Sequence, residues 1–122
     1  MVNLKHKKLK ILFRTAGGRA NGTELGTGHL FRCIHLGQNL PKHDIHFLIN
    51  NYPSAKNLIK SNGFQQISIL TNNSSLQYDI DQTKKYVIKN KIDLVIVDKF
   101  KTTIKYLRAI NQITKVIFIS DI

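Results

Sequence analysis

The sequence is poor in several residue types that characterise whole classes of proteins. It has one cysteine, Cys33, two prolines, no tryptophan and only seven acidic residues. A single cysteine excludes an internal disulfide and favours a reducing compartment such as the cytoplasm. No apolar run approaches the roughly 18–20 residues of a membrane-spanning helix. The basic start also lacks the apolar core and the cleavage site of a signal peptide, so we expect a cytoplasmic protein with no membrane span.

The shortage of acidic residues leaves a formal net charge of +12. Such a charge is compatible with binding of nucleic acid, of an anionic membrane surface or of a phosphorylated substrate. The lysines are scattered, however, apart from a cluster at positions 5, 7, 8 and 10. No RNA-binding signature, zinc-finger spacing or helix-turn-helix pattern accompanies them. We therefore interpret most of the charge as solubilising, with attraction of an anionic substrate as the alternative, and we do not expect nucleic acid as a partner.

Hydrophobic periodicity predicts that strands and helices alternate along the 122 residues. The predicted strands are short apolar runs at 11–13, 45–49, 67–70, 94–97 and 116–119. The predicted helices are 28–40, 53–61, 79–90 and a fourth from Thr102 or Thr103 to about 110. This order implies right-handed crossovers between parallel strands. The predicted fold class is α/β, an open parallel sheet with helices on both faces.

The two ends of the chain differ in character. Residues 1–9 are predicted to form a basic flexible tail, and residues 10–122 one domain that is large enough for a hydrophobic core. The last predicted strand ends at residue 119, and no helix follows it before Ile122. A sheet of this kind usually has its last strand covered. We therefore expect the chain to be one domain of a larger enzyme, with a second domain absent.

The most informative stretch runs from residue 14 to residue 40, where a strand end, a glycine-rich loop and an amphipathic helix follow one another. Five of the seven glycines lie between positions 17 and 28. Glycine lets backbone approach a ligand closely, and a helix N-terminus favours anions. Phe31 stands where the third glycine of a dinucleotide fingerprint would be, and no Gly-Lys-Ser/Thr follows the loop. The loop is therefore predicted to bind a ligand, but neither a nicotinamide cofactor nor a Walker-type phosphate.

His29 stands in the first turn of the predicted helix. At about 100° per residue it shares an apolar arc with Leu30, Cys33 and Leu36. A histidine that faces inward where the loop opens can reach both the sheet edge and a ligand, and a neutral imidazole can act as a general base. The alternative is a structural histidine that caps the loop. Cys33 is interpreted as a small core residue, and His35 points away from both, so no zinc site is expected.

Charged residues mark the ends of three predicted strands. Arg14 ends the first strand, Asp98 follows the run at 94–97, and Asp121 follows the run at 116–119. The carboxyl ends of parallel strands share one edge, where ligands bind in open sheets, so these residues are candidates for a site. An aspartate in this position also commonly caps a turn or helix. Arg14 could steer a phosphate or pair with such a carboxylate.

Three segments together resemble a known family. They read ILFRTAGGRANGTELGTGHLFRCIHLGQNL, LVIVDKF and VIFISDI. They are similar to the N-terminal half of the UDP-sugar hydrolases of pseudaminic acid biosynthesis and to spore-coat polysaccharide biosynthesis proteins. The shared pattern is a strand ending in arginine, a Gly-x-Gly-His turn, an arginine three residues later and a leucine-rich helix. The resemblance implies a Rossmann-like N-terminal, acceptor-side domain, one half of a GT-B-type architecture.

The resemblance also implies an activity, the hydrolysis of a UDP-linked deoxyamino sugar with His29 as the catalytic base that activates water. A UDP leaving group is a stable anion, so the reaction needs less acid assistance than in glycosidases with two carboxylates. The family's nucleotide pocket lies mainly in the second domain, so this domain alone is expected to be inactive. No cofactor and no metal are implied. The implied substrate-binding residues are Arg14, Gly26, Thr27, Gly28, Arg32 and Asp98.

The chain departs from the family pattern at two places. Phe100 stands where the family often has a tyrosine, and Ala16 stands where an aspartate is common. Two alternative functions stay open. One is a glycosyltransferase domain in which His29 deprotonates an acceptor hydroxyl, and the other is a noncatalytic basic domain that binds a partner or nucleic acid.

Overall fold

The computed structural model describes residues 7–20, 23–25, 27–71, 75–99 and 101–119. In chain order the elements in these ranges are β1 (Lys10–Thr15), β2 (Gly18–Ala20), β3 (Thr23–Leu25), α1 (Gly28–Gln38), β4 (Asp44–Asn50), α2 (Pro53–Ser61), β5 (Ile67–Leu70), α3 (Leu76–Asn90), β6 (Leu94–Asp98), α4 (Ile104–Asn111) and β7 (Lys115–Phe118). Among these helices, none is both long and apolar enough to cross a membrane.

Five of the strands form one parallel sheet in the order β5-β4-β1-β6-β7. The chain runs outward from β1 through β4 to β5, and then returns to the other side of β1 for β6 and β7. The predicted α/β fold, an open parallel sheet with helices on both faces, is confirmed, and it is Rossmann-like in its strand order. This reversal of direction leaves β1 and β6 side by side at a topological switch point.

The two faces of the sheet belong to two separate hydrophobic cores. Phe13 of β1 and Phe47 of β4 stack with ring centroids 5.4 Å apart, in the core that α1 and α2 cover. Leu12 of β1 belongs instead to the core that α3 and α4 cover. Because side chains alternate along a strand, Arg14 falls on the α3–α4 face and Thr15 on the α1–α2 face. The two neighbouring residues Arg14 and Thr15 at the end of β1 therefore lie on opposite faces of the sheet.

Side-chain caps fix the starts of α3 and α4. Ser75 Oγ accepts the backbone N–H of Tyr78 at 3.1 Å, and Thr103 Oγ1 accepts that of Tyr106 at 3.1 Å. Of the two predicted caps of α4, Thr103 is the one that makes the bond. With its cap at Ser75, α3 starts at Leu76, three residues before the predicted start at Asp79. Asp79 consequently lies within the first turn and not at the helix start.

The glycine-rich loop contains a hairpin that periodicity did not predict. β2 and β3 pair antiparallel, with Gly18 opposite Leu25 and Ala20 opposite Thr23. Strands of three residues are too short to show an alternating pattern in the sequence. β2 lies against α2, and the hairpin returns the chain to the start of α1. Helix α1 itself ends at Gln38, two residues before the predicted end at 40.

The start of the described chain is joined to the domain by its backbone. Leu9, which the sequence interpretation places in the basic tail, packs against the α1–α2 core. Its N–H donates to His43 Nδ1 at 2.9 Å, and its carbonyl accepts the N–H of Asp44 at 2.9 Å. Residues 1–6, the rest of the predicted tail, lie outside the described residues.

Candidate active site

The switch point of the sheet lies at the carboxyl ends of β1 and β6. Thr15, the last residue of β1, is the register partner of Asp98, the last residue of β6. Helix α1 packs on the same face of the sheet, with Leu30 and Cys33 fully buried beneath it. In open parallel sheets, ligands bind outside the strand ends at such a point. The fold therefore brings α1 and the end of β6 together where a ligand is expected.

Three predicted site residues meet at this point in a charged cluster, His29–Arg32–Asp98. His29 Nδ1 lies 2.6 Å from Asp98 Oδ1. Arg32 Nε donates to Asp98 Oδ2 at 2.5 Å, and its Nη2 donates to Oδ1 at 2.7 Å. Asp98 is fully buried, whereas the side chains of His29 and Arg32 are 24% and 35% exposed. The carboxylate thus forms the floor, and the imidazole and guanidinium form the solvent-facing side.

Helical spacing explains how two side chains converge on one carboxylate. His29 and Arg32 are three residues apart on α1, so they project from the same side of the helix. Their partner sits at the end of a strand whose other residues are buried, and this fixes its position. The bidentate contact with Arg32 pairs the buried charge of Asp98, which burial alone would disfavour. The site is therefore held by two elements of the fold, helix α1 and strand β6.

The contact between His29 and Asp98 sets the chemistry of the imidazole. A carboxylate that faces Nδ1 favours the tautomer with the proton on Nδ1, and the lone pair then lies on Nε2. The same carboxylate stabilises the imidazolium that forms when Nε2 takes a proton. Asp98 has both oxygens engaged by side chains, which favours a positioning role over the direct substrate contact expected from the sequence. An oriented imidazole of this kind can serve as a general base.

Cys33 lies beneath the cluster and takes no part in such chemistry. Its Sγ is 3.9 Å from Asp98 Oδ2, and the residue is fully buried. Burial raises the pKa of the Cys33 thiol to about 12. A thiol of this kind stays protonated at neutral pH and is a poor nucleophile. The position agrees with the interpretation of Cys33 as a core residue.

The mouth of α1 supplies backbone groups next to His29. Thr27 is the N-cap residue, and its side chain makes no capping hydrogen bond. Gly28 is exposed, and a Cβ at its position would have no atom within 4 Å. The first N–H groups of a helix point outward and favour anions. Gly26, Phe100 and Asp121, which the sequence interpretation also named, lie outside the described residues.

Arg14 lies on the other face of the sheet and does not join His29. Its Nε and Nη2 donate to the two carboxylate oxygens of Asp79 at 3.0 and 2.7 Å. Nη2 also donates to Asn50 Oδ1 at 2.9 Å, and Nη1 donates to the carbonyls of Thr15 and Leu48 at 2.9 and 3.5 Å. Of the two roles left open by the sequence, pairing with a carboxylate describes this geometry. The partner is a helix residue and not one of the strand-end aspartates.

Sequence interpretation missed two charged residues near this edge. The sequence pattern places Asp79 at the start of the predicted helix 79–90, and it assigns no role to Lys99. The sequence holds only a weak signal that Asp79 is buried. Asp79 lies beside Ile80 on the buried side of α3, and the buried Thr83 follows four residues later. A polar pair at helical spacing inside an apolar arc indicates a buried partner but does not identify it.

The described residues offer no metal centre. They contain no group of three or more His, Cys, Asp or Glu side chains arranged to hold a metal ion. His35 is exposed on α1, and its ring lies near Phe31, with centroids 6.2 Å apart.

No family model, curated protein or solved structure matches the chain. Fold and site together define the class, a Rossmann-like α/β domain with a buried aspartate, a histidine and an arginine at the switch point of its sheet.

Proposed function

We propose that this chain is the acceptor-side domain of a nucleotide-sugar hydrolase and that His29 is its general base. The observation that supports this most directly is the 2.6 Å contact between His29 Nδ1 and the buried Asp98 carboxylate at the switch point. It orients an imidazole next to a glycine-rich loop and a helix N-terminus. The proposed substrate is a UDP-linked deoxyamino sugar, in line with the family that the sequence resembles.

The reaction needs a single base. His29 Nε2 takes a proton from a water molecule, and the water oxygen forms a bond to the anomeric carbon of the sugar. The bond between that carbon and the diphosphate oxygen breaks, and its electron pair leaves with UDP. The products are the free sugar, UDP and an imidazolium that Asp98 stabilises. A general base of this kind contributes roughly 10²–10⁴-fold to the rate.

Groups around His29 suit a substrate that carries a diphosphate. The exposed backbone at Thr27 and Gly28 presents the positive end of the α1 dipole. The net charge of +12 adds a long-range attraction for an anionic substrate. In the proposed enzyme, a second Rossmann-like domain supplies the pocket for the nucleotide, and the sugar lies between the two domains.

The test follows UDP release from UDP-linked deoxyamino sugars. The enzyme is the full-length product of the gene, and the variants are His29→Ala and His35→Ala. His35 is an exposed histidine of the same helix and gives a matched control. We expect His29→Ala to lose roughly 10²–10⁴-fold in rate and His35→Ala to retain it. Equal release by wild type and His29→Ala would refute the role of His29.

Two further measurements separate the hydrolase from the other functions. Release of UDP that requires an added sugar or lipid acceptor would identify a glycosyltransferase and overturn hydrolysis. Incorporation of ¹⁸O from labelled water into the free sugar would support hydrolysis. Salt-sensitive binding to DNA without any response to UDP-sugars would identify a basic binding module instead.

A further inference from the structure

A second charged cluster lies at the same edge of the sheet, on the face opposite His29. It consists of Arg14, Asp79, Thr83, Lys99 and Tyr106, which we call the Lys99 cluster. Arg14, Thr83 and Tyr106 are fully buried or nearly so, and the side chains of Asp79 and Lys99 are 10% and 13% exposed. Asp98 and Lys99 are consecutive, so the two clusters lie back to back at the end of β6.

The charge of Arg14 is completely matched inside this cluster. A guanidinium has five N–H donors. Those of Arg14 face five acceptors, which are two oxygens of Asp79, the side chain of Asn50, and the carbonyls of Thr15 and Leu48. Asp79 is in turn held by Thr83, whose Oγ1 donates to Oδ1 at 3.2 Å. Arg14 and Asp79 thus form a complete ion pair with no donor left for a ligand.

Lys99 is different, because its ion pair with Asp79 is long and includes no hydrogen bond. Its Nζ lies 3.9 Å from Asp79 Oδ2, too far for a hydrogen bond, and 5.3 Å from the ring centroid of Tyr106. Within the part of the chain that the structure describes, no acceptor lies within hydrogen-bond distance of this ammonium. Burial, and after it the nearby Arg14, lower the pKa of Lys99 against the opposing effect of Asp79. The cluster holds two cations and one carboxylate in a largely buried place.

An excess of positive charge in a largely buried place is costly. Ionisable side chains in such surroundings are frequent at binding and catalytic sites. We propose that Lys99, seated above the Tyr106 ring, anchors a binding subsite for an oxyanion, a phosphate or carboxylate group of a ligand. The Arg14–Asp79 pair fixes the walls of this subsite and does not itself bind. The subsite is independent of the proposed hydrolysis, since it lies on the opposite face from His29.

The binding test uses inorganic phosphate and acetate as separate probes, titrated by calorimetry at constant ionic strength. The variants are Lys99→Gln, Lys99→Arg and Lys105→Gln. Lys105 is an exposed lysine on α4, so its substitution makes the same change in net charge. We expect wild type and Lys105→Gln to bind alike, Lys99→Arg to bind within a few-fold, and Lys99→Gln to lose at least roughly tenfold. Tighter binding of phosphate than of acetate identifies a phosphoryl ligand, and the reverse identifies a carboxylate.

Thermal unfolding without added anion shows whether a loss of binding in Lys99→Gln comes from a loss of stability. Lys99→Gln removes the excess positive charge of the cluster and loses only a 3.9 Å ion pair, so its melting temperature should equal or exceed that of wild type. Phosphate or acetate should then raise the melting temperature of wild type and leave that of Lys99→Gln unchanged. The proposal is overturned if wild type binds neither probe, if Lys99→Gln binds as tightly as wild type, or if Lys105→Gln loses as much affinity.

Discussion

Nδ1 of His29 lies 2.6 Å from Oδ1 of Asp98, although 69 residues separate them in the sequence. The contact depends on the register of the sheet, in which Thr15 and Asp98 are partners, and on α1 crossing the sheet at that point. The aspartate is fully buried, so its carboxylate cannot turn to another partner in solvent. This pairing is the relationship from which the proposed activity follows.

Substitution Asp98→Asn should impair catalysis more than it changes the fold. The amide keeps the shape, but it cannot hold the Nδ1 proton and stabilise the imidazolium as a carboxylate does. We expect the rate of UDP release to fall roughly 10²–10⁴-fold. The rate is measured beside circular dichroism of the same sample. Asp81→Asn, on the exposed side of α3, is the matched control and should leave the rate unchanged.

The outline of the fold could be predicted because its signals are local. The run at 94–97 is continuously apolar and the run at 45–49 is apolar except for His46, as expected of strands buried on both faces. Proline at position 53 marks the first turn of α2. Strand order depends on contacts between distant segments, and the three-residue strands of the hairpin carry no period. The strand order and the hairpin therefore could not be predicted from the sequence.

The candidate site likewise has features that could be predicted from the sequence and features that could not. The helical phase of His29 and the place of Asp98 after a strand are local features, and they predicted two of the three residues that meet. The contact between His29 and Asp98 could not be predicted from the sequence, because it depends on the lateral pairing of β1 with β6. The ion pair between Arg14 and Asp79 is equally remote, since the partners are 65 positions apart in the sequence. A single sequence contains many acidic and basic side chains, so it does not indicate which of them form ion pairs.

Asp79 and Lys99 should be coupled in their effects on stability. Asp79→Asn leaves Arg14 and Lys99 as two buried cations, and we expect it to cost about 3–5 kcal/mol of unfolding free energy. Lys99→Gln should be neutral or stabilising alone. In the Asp79→Asn background it removes repulsion from Arg14 without losing an attraction, so it should recover about 1 kcal/mol or more.

Denaturant unfolding of the four proteins in this double-mutant cycle measures the coupling. The m-value should stay constant across the set, which shows that the change is in stability. Strict additivity of the two substitutions would show that Lys99 does not interact with the ion pair. Asp81→Asn is again the control, and its effect should stay within about 0.5 kcal/mol.

The Cys33 thiol should be protected in the native protein. Burial raises its pKa from 9.0 to about 12, so at pH 8 the thiolate fraction is roughly 10³-fold smaller than in the unfolded chain. We expect slow alkylation by iodoacetamide at pH 8 and fast alkylation in denaturant. Above pH 9 the unfolded chain ionises this thiol while the native protein does not, so its contribution to stability falls between pH 9.0 and about 12. Native alkylation as fast as that of the denatured chain would contradict the buried position.

Two glycines of α1 should respond differently to alanine. Gly28 has open space around the position of a Cβ, so Gly28→Ala should leave stability unchanged or raise it by about 0.4–1 kcal/mol. At Gly37 a Cβ would lie 2.9 Å from Cζ of Phe64, whose ring packs on Phe47 with centroids 5.1 Å apart. Gly37→Ala should therefore be the less stable of the two variants, because the partly buried Phe64 ring must shift to make room for the methyl group.

The same pair separates ligand binding from stability at the mouth of α1. If the substrate approaches the backbone at Gly28, a methyl group there raises KM for the UDP-sugar although the protein is no less stable. Gly37 lies at the far end of the helix, so Gly37→Ala should keep the wild-type KM at temperatures where it is folded. Melting temperatures and KM values of the two variants, measured side by side, decide the point. An unchanged KM in Gly28→Ala would place the substrate away from the helix mouth, and the His29 proposal would then need a different approach for the sugar.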